Sequence, residues 1–111
     1  MQSQANANRR LDRRANARAS VKVVCRKGTL DLGANIAVAI LDVSETGVRL
    51  IVKEPLAIDQ ELTVSLEPTH SRGADRRPGR VVWCVESTEQ KFVVGVHFDK
   101  RLPYAEWQKL V

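Results

Sequence analysis

Six segments of the chain alternate apolar and polar residues with a period of two. "VKVVCRK" sets Val21, Val23 and Cys25 against Lys22, Val24 and Arg26. "GVRLIVK" sets Val48, Leu50 and Val52 against Arg49 and Lys53, and "ELTVSL" sets Leu62, Val64 and Leu66 against Glu61, Thr63 and Ser65. "RVVWCVE" aligns Val81, Trp83 and Val85, and "KFVVGVHF" aligns Phe92, Val94, Val96 and Phe98. "NIAVAILDV" is apolar on both parities, as a strand covered on both faces would be. This texture, rich in valine, predicts strands. The breaks carry turn residues: Gly28 and Gly33 in "RKGTLDLGAN", Gly47 closing "SETG", Pro55 in "KEPLAIDQ", and two prolines with two glycines in "EPTHSRGADRRPG". "ESTEQK" is polar throughout without either residue. The period then changes. In "LPYAEWQKLV" Tyr104, Trp107 and Val111 recur at helical spacing, Leu110 lies beside that stripe, and Pro103 suits a first helical turn.

The expected fold is therefore all-β. Six short antiparallel strands must hide their edges, and a small closed or nearly closed barrel with the helix over one end does so. The chain has 111 residues, of which 43% are apolar, enough for one domain with one core. No apolar run approaches the roughly 18 residues of a membrane span. The start, "MQSQANANRR", has no secretory apolar stretch, so the cytoplasm is the expected compartment. Cys25 and Cys84 lie far apart in sequence and read as two buried thiols. His70 and His97 share no metal-ligand spacing with them, and His97 reads as a surface-facing strand residue.

Charge changes the picture at the N-terminus. Arg9, Arg10, Arg13, Arg14 and Arg18 fall within the first 18 residues, with Asp12 as the one acid, and the whole chain carries a formal +5. Leu11 is the one sizeable aliphatic residue between Gln2 and Arg18. Residues 1–19 thus read as a flexible arginine-rich arm that precedes a barrel with its C-terminal helix over 20–111. An excess of this sign points to an anionic partner. Two spaced motifs narrow it. Arg14-x-x-x-Arg18, with Arg13 adjoining, stands just before the first expected strand. Asp42-x-Ser44-x-x-Gly47 stands just after the second. By itself the second motif is an ordinary turn signature, in which Asp and Ser cap and Gly supplies positive φ or room for a close approach.

Together, the two motifs and the strand texture of "GVRL", "GRVVWC" and "FVVGVHF" resemble the PilZ domain, a bacterial receptor for cyclic di-GMP, over about residues 9–111. The resemblance implies a six-stranded antiparallel barrel with an arginine-bearing N-terminal segment and cyclic di-GMP bound by both motifs. It assigns the ligand to Arg13, Arg14, Arg18, Asp42, Ser44 and Gly47. It also associates an arginine at position 13 with an intercalated pair of ligand molecules. One departure is size: "ANAR" followed by "AS" places small residues where bulkier ones are often seen.

The chemistry fits that assignment. An arginine fork pairs bidentately with phosphate and matches guanine O6 and N7, and its flat face stacks on purines. Asp42 supplies the acceptor that guanine N1–H and N2–H need and that no arginine has. Ser44 donates and accepts, and Gly47 removes a Cβ. The implied function is a cyclic di-GMP receptor that signals by ordering of its arm, with a downstream protein that the sequence does not name. Two other readings stand beside it. One is a basic barrel that binds nucleic acid through the arm and Arg72, Arg76 and Arg77, which the 5% aromatic content disfavours. The other is a PilZ-like domain that binds only a protein. No nucleophile–base pair, acid cluster, metal-ligand set or cofactor motif marks an enzyme.

Overall fold

The structure, a computed structural model, describes residues 13–30, 32–68 and 75–111. Arg9, Arg10, Leu11, Asp12, His70 and Arg72 lie outside the described residues. The expected strands are all present: β2 (Lys22–Lys27), β3 (Ala37–Val43), β4 (Gly47–Val52), β5 (Glu61–Glu67), β6 (Asp75–Glu86) and β7 (Phe92–Phe98). A seventh, β1, is a two-residue strand, Ala15–Asn16, inside the arginine-rich segment. They form one curled antiparallel sheet in the order β1-β3-β4-β7-β6-β5-β2.

The curl nearly closes. β2, at one end of the sheet, faces β3, the strand next to the other end, without a ladder. Ile36 N–H donates to Cys25 O at 2.8 Å, and Asn35 Oδ1 accepts from Cys25 N–H at 2.9 Å and Ala37 N–H at 3.0 Å. One asparagine thus stitches the two edges where backbone pairing fails. The rest of the seam is a cleft of about 600 Å³ lined by Val21, Val23, Val38 and Ile40, with Ala17 of the arm at its rim.

The core follows the period-2 pattern. Val48, Leu50, Val52, Leu62, Val64, Leu66, Val94, Val96 and Phe98 all turn inward and are buried. Cys25 is fully buried, and burial pushes its thiol up to about 12. Cys84 is half-buried and packs against the core from β6, so of the two thiols expected inside, one is fully enclosed. His97 is exposed, as expected.

Four expectations need correction. β3 is not covered on both faces: Val38 and Leu41 are 42% and 38% exposed. Register shifts between Ala37 and Ala39 and between Ile40 and Asp42 break its alternation, which accounts for apolar residues on both parities. In β6 a shift between Val81 and Trp83 does the same. Val81 is buried and pairs with Val96, whereas Trp83 and Val85 turn to the outer face, Val85 being 55% exposed. The loop expected up to Gly79 ends earlier, because β6 begins at Asp75 and pairs with β5 from Leu66↔Asp75 to Glu61↔Arg80. Arg76 and Arg77 are therefore strand residues. Finally, Pro103 is the N-cap of the helix α1 (Tyr104–Gln108). Trp107 is its buried anchor and Leu110, just beyond it, is buried too, whereas Tyr104 is 46% exposed.

α1 is short, so packing and not helix propensity holds it. Trp107 lies against the barrel and donates its indole N–H to Val43 O at 3.0 Å, a buried bond. Trp107→Phe keeps an aromatic ring there and removes that buried bond. The expected cost is about 1–3 kcal/mol, read as a lower midpoint in a chemical denaturation with unchanged slope.

Candidate functional site

The turn after β3 is built by one side chain. Ser44 is buried, and its Oγ accepts from Gly47 N–H at 3.1 Å and Thr46 N–H at 3.2 Å, while Ser44 N–H donates to Gly47 O at 2.8 Å. This is the local serine bonding that makes tight turns. Gly47 opens β4 at a φ that any residue could adopt; positive φ among the described glycines belongs to Gly28 and Gly33. Its role is close approach: a Cβ there would stand on Val96 O of β7. The glycine of the second motif therefore fixes the distance between two strands.

Asp42 lies one residue ahead of Val43, and its side chain is only 6% exposed. Arg14 reaches it from the arm, donating Nη1–H to Asp42 Oδ1 at 2.6 Å and Nη2–H to Ser44 Oγ at 3.2 Å. The arm is set in register by Ala15↔Val43 and Asn16↔Asp42, and Ala15 and Ala17 pack half-buried against the core. The small residues of the arm thus let it lie close to the sheet. Arg49, the register partner of Asp42 on β4, approaches from the other side. Its Nε donates to Oδ1 at 3.0 Å and to Oδ2 at 2.8 Å, and its Nη2 also donates to Oδ2. Burial alone would raise the Asp42 carboxyl, but the Arg49 and Arg14 guanidiniums outweigh it and hold the group below its ordinary 3.8.

Glu45, an unassigned position inside the second motif, forms a second buried anion. Its Oε1 receives Arg13 Nη1 at 3.2 Å and Arg101 Nη2 at 3.4 Å, and its backbone oxygen accepts from Leu102 N–H at 2.6 Å. The Arg13 guanidinium also lies 4.9 Å from the centre of the Tyr104 ring. Arg18 turns to the C-terminal segment. Its N–H donates to Leu110 O at 2.7 Å and its Nε to Val111 O at 2.7 Å. The structure therefore unites Arg14, Asp42, Ser44 and Gly47, places Arg13 one acid further along the turn, and sets Arg18 on α1's trailing residues.

Beside Arg14 the outer face of the sheet holds a cleft of about 340 Å³ lined by Gly47, Arg49, Trp83, Gly95 and His97, with Arg14 at its edge. Asp42, Arg49, Gly95 and Trp83 form one transverse row across β3, β4, β7 and β6. Gly95 has no side chain to fill the row, and the Trp83 indole occupies the space its Cβ would take. Sequence reasoning missed Arg49, Trp83, His97 and Glu45. Arg49 reads there as the polar half of a strand alternation, and the outward turn of Trp83 depends on a bulge. Among the described residues no group of three or more His, Cys, Asp or Glu could hold a metal ion, and no helix is long and apolar enough to cross a membrane.

Two consequences are measurable. Gly47→Ala overpacks the β4–β7 contact and should lower stability by on the order of 1–3 kcal/mol in a thermal melt. The Asp42 carboxyl is lowered in the folded protein, so its stabilisation is complete above the ordinary 3.8 and is lost as pH falls through the folded value. Wild type should lose stability below about pH 4 more steeply than Asp42→Asn in acid titrations followed by circular dichroism.

The family model of the PilZ domain matches residues 8–111. No curated protein and no solved structure matches the chain. With nearly its whole length matched and a curled all-β sheet carrying the arginine arm against the Asp-x-Ser-x-x-Gly turn, the chain belongs to the PilZ domain family, a family of non-catalytic cyclic di-GMP receptors.

Proposed function

We propose that this protein is a bacterial cytoplasmic receptor for cyclic di-GMP. It takes the ligand between the arm and the Asp42–Gly47 turn and passes the signal to a downstream protein. The observation that carries this reading is the convergence of Arg14 from the arm with Asp42 and Ser44 of the turn at the edge of an open cleft. Such a site offers guanidinium donors and carboxylate and hydroxyl acceptors together, which a ligand with two phosphates and two guanines requires. Trp83, laid over Gly95, adds a flat surface for a base in the same cleft. Arg18 keeps its Nε on Val111 O, a bond that aims its terminal amino groups and leaves them able to meet phosphate. Arg13 supplies a further guanidinium beside the turn and fits an intercalated ligand pair, whose four phosphates exceed what two arginines neutralise.

The arm is the element that responds. Its attachment is a two-residue ladder, a few charged contacts and the Arg18 bonds, so its local opening costs far less than opening the barrel. Ligand bound across arm and turn makes bonds that exist only when the arm is down, and so shifts the arm toward the ordered state. We read the site as one that binds and does not catalyse, in keeping with its family.

Calorimetric titration with cyclic di-GMP, run beside GTP and a short oligonucleotide, tests the reading. Binding specific to cyclic di-GMP is expected. Arg14→Ala and Arg18→Ala should each lose about 1.5–3 kcal/mol of binding energy with the fold retained. Wild type should take up two ligands per chain and Arg13→Leu one. Amide exchange over residues 13–18 should slow when ligand is added. Equal binding of any polyanion, or no heat at high micromolar cyclic di-GMP, overturns the proposal.

A further inference from the structure

The carboxylate assigned to read guanine is already fully engaged. Asp42 accepts from Arg49 through both oxygens, using the side-on fork of Nε–H and Nη2–H, and from Arg14 through Oδ1. Two parallel N–H groups facing the two oxygens of one carboxylate is also the arrangement that the N1–H and N2–H edge of guanine makes. Asp42 is 6% exposed, whereas the side chains of Arg49 and Arg14 are 47% and 37% exposed. An incoming base therefore reaches this carboxylate only past the two guanidiniums. Arg14 holds one oxygen and shares its second amino group with Ser44; Arg49 covers both oxygens, the pair that a guanine edge needs.

We infer that Arg49 is an internal competitor of the ligand: a guanidinium that imitates the guanine edge on Asp42, keeps the nearly buried carboxylate paired when the site is empty, and is displaced when cyclic di-GMP binds. This inference rests on the cyclic di-GMP reading above and deepens it. Pairing in the empty state is obligatory, since a carboxylate shielded from water and left unpaired is strongly destabilising. Only a base that brings its own two-donor edge can replace Arg49 there without leaving that carboxylate short of donors. Adenine presents a donor beside a lone pair on the same edge and cannot. Once displaced, Arg49 stays at the wall of the open cleft, which it lines together with Gly95 and Trp83. The arrangement sets the affinity of the site below what Asp42 and Arg14 alone would give. It also gives Asp42 two roles, an anchor for the arm through the Arg14 bond to Oδ1 and an acceptor pair exchanged between an internal and an external donor pair.

The test compares cyclic di-GMP with cyclic di-AMP by calorimetry in wild type, Arg49→Lys and Arg49→Met. Arg49→Lys keeps the charge and loses the fork; Arg49→Met loses both. Cyclic di-AMP carries the same phosphates, so it corrects for the change in charge. In both variants the preference for cyclic di-GMP over cyclic di-AMP should widen by about threefold to tenfold, the range of one partly exposed ion pair. In an Asp42→Asn background the same two changes should not widen it. The Arg49 Nε–H proton resonance, shifted downfield by the carboxylate in the empty protein, should move upfield on addition of cyclic di-GMP and stay in place with cyclic di-AMP. A preference that narrows or stays constant in both variants, or an Arg49 resonance that cyclic di-GMP leaves unmoved, overturns the inference. Wild type that binds no cyclic di-GMP instead overturns the reading of function on which it rests, so the two failures are distinct. Thermal melts of each variant confirm that the barrel is folded when titrated.

Discussion

A carboxylate shut away from water has to be paired, and at Asp42 that requirement organises the functional half of the molecule. The side chain sits near the end of β3, where the sheet gives way to the turn, and two guanidiniums of different origin meet on it. Arg49 comes from inside the sheet, opposite Asp42 in the β3–β4 register, so its approach is set by the same pairing that builds the core. Arg14 comes from the arm, immediately before the two residues that pair with Val43 and Asp42. One anion thus helps tie a segment whose apolar residues are mostly alanines to a rigid barrel. Arg49 keeps the carboxylate paired whether or not the arm is down, so Arg14 adds a charged bond to the two-residue ladder and the two together hold the arm.

The cleft beside this anion depends on what is missing from the sheet. Gly47 and Gly95 lie on adjacent strands, and each removes a side chain for a different reason. At Gly47 the β7 backbone at Val96 O leaves no room for a Cβ. At Gly95 the indole of Trp83 takes the place. The shift between Val81 and Trp83 turns that indole outward while Val81 and Cys84 continue to serve the interior. A bulge re-aiming one aromatic side chain beside a functional surface is a common use of such irregularities. The result is a shallow site on strands whose other faces are locked in the core, with side chains that can exchange partners on a backbone that stays put.

How much of this was legible in the sequence follows from which features are periodic and which are not. Val48, Leu50 and Val52 announce β4 because every second residue must be apolar on a one-sided strand. The same holds for β5 and β7. Bulges defeat that logic: Val38, Leu41 and Val85 are outside because the chain slips by one residue, a tertiary event with no local signature. The start of β6 was hidden by Pro78 and Gly79, ordinary turn residues that here lie opposite Thr63 and Leu62. The β6–β7 connection carries no Gly, yet Glu89 and Gln90 both adopt positive φ, at 60° and 63°. At the site, Arg14, Asp42, Ser44 and Gly47 were legible through the resemblance of two short motifs to the family pattern, since short motifs are local. Arg49 and Glu45 joined them only through register and through a segment more than fifty residues later, Arg101 and Leu102, and long-range pairing is what a single sequence does not display.

That distant segment also bears on how an event at the turn could be felt elsewhere. The barrel interior is closely packed, and the strands around Leu50, Val64 and Val94 have little freedom to respond. The parts held by a few polar interactions are the arm and the residues around α1, and they are held by each other. Arg13 stacks on Tyr104 and shares Glu45 with Arg101; Arg18 bonds to Leu110 O and Val111 O. On the proposed reading, a dianionic ligand that engages these arginines draws on the same donors that secure the C-terminal residues. Each guanidinium has a fixed set of N–H groups, so every bond it makes to phosphate on one side is weighed against its bonds to carbonyls and carboxylates on the other. A signal need not cross the core at all. On that reading it passes along the outside of the barrel, from the turn through shared arginines to α1 and the residues after it, where Trp107 and Leu110 are buried and Tyr104 is exposed.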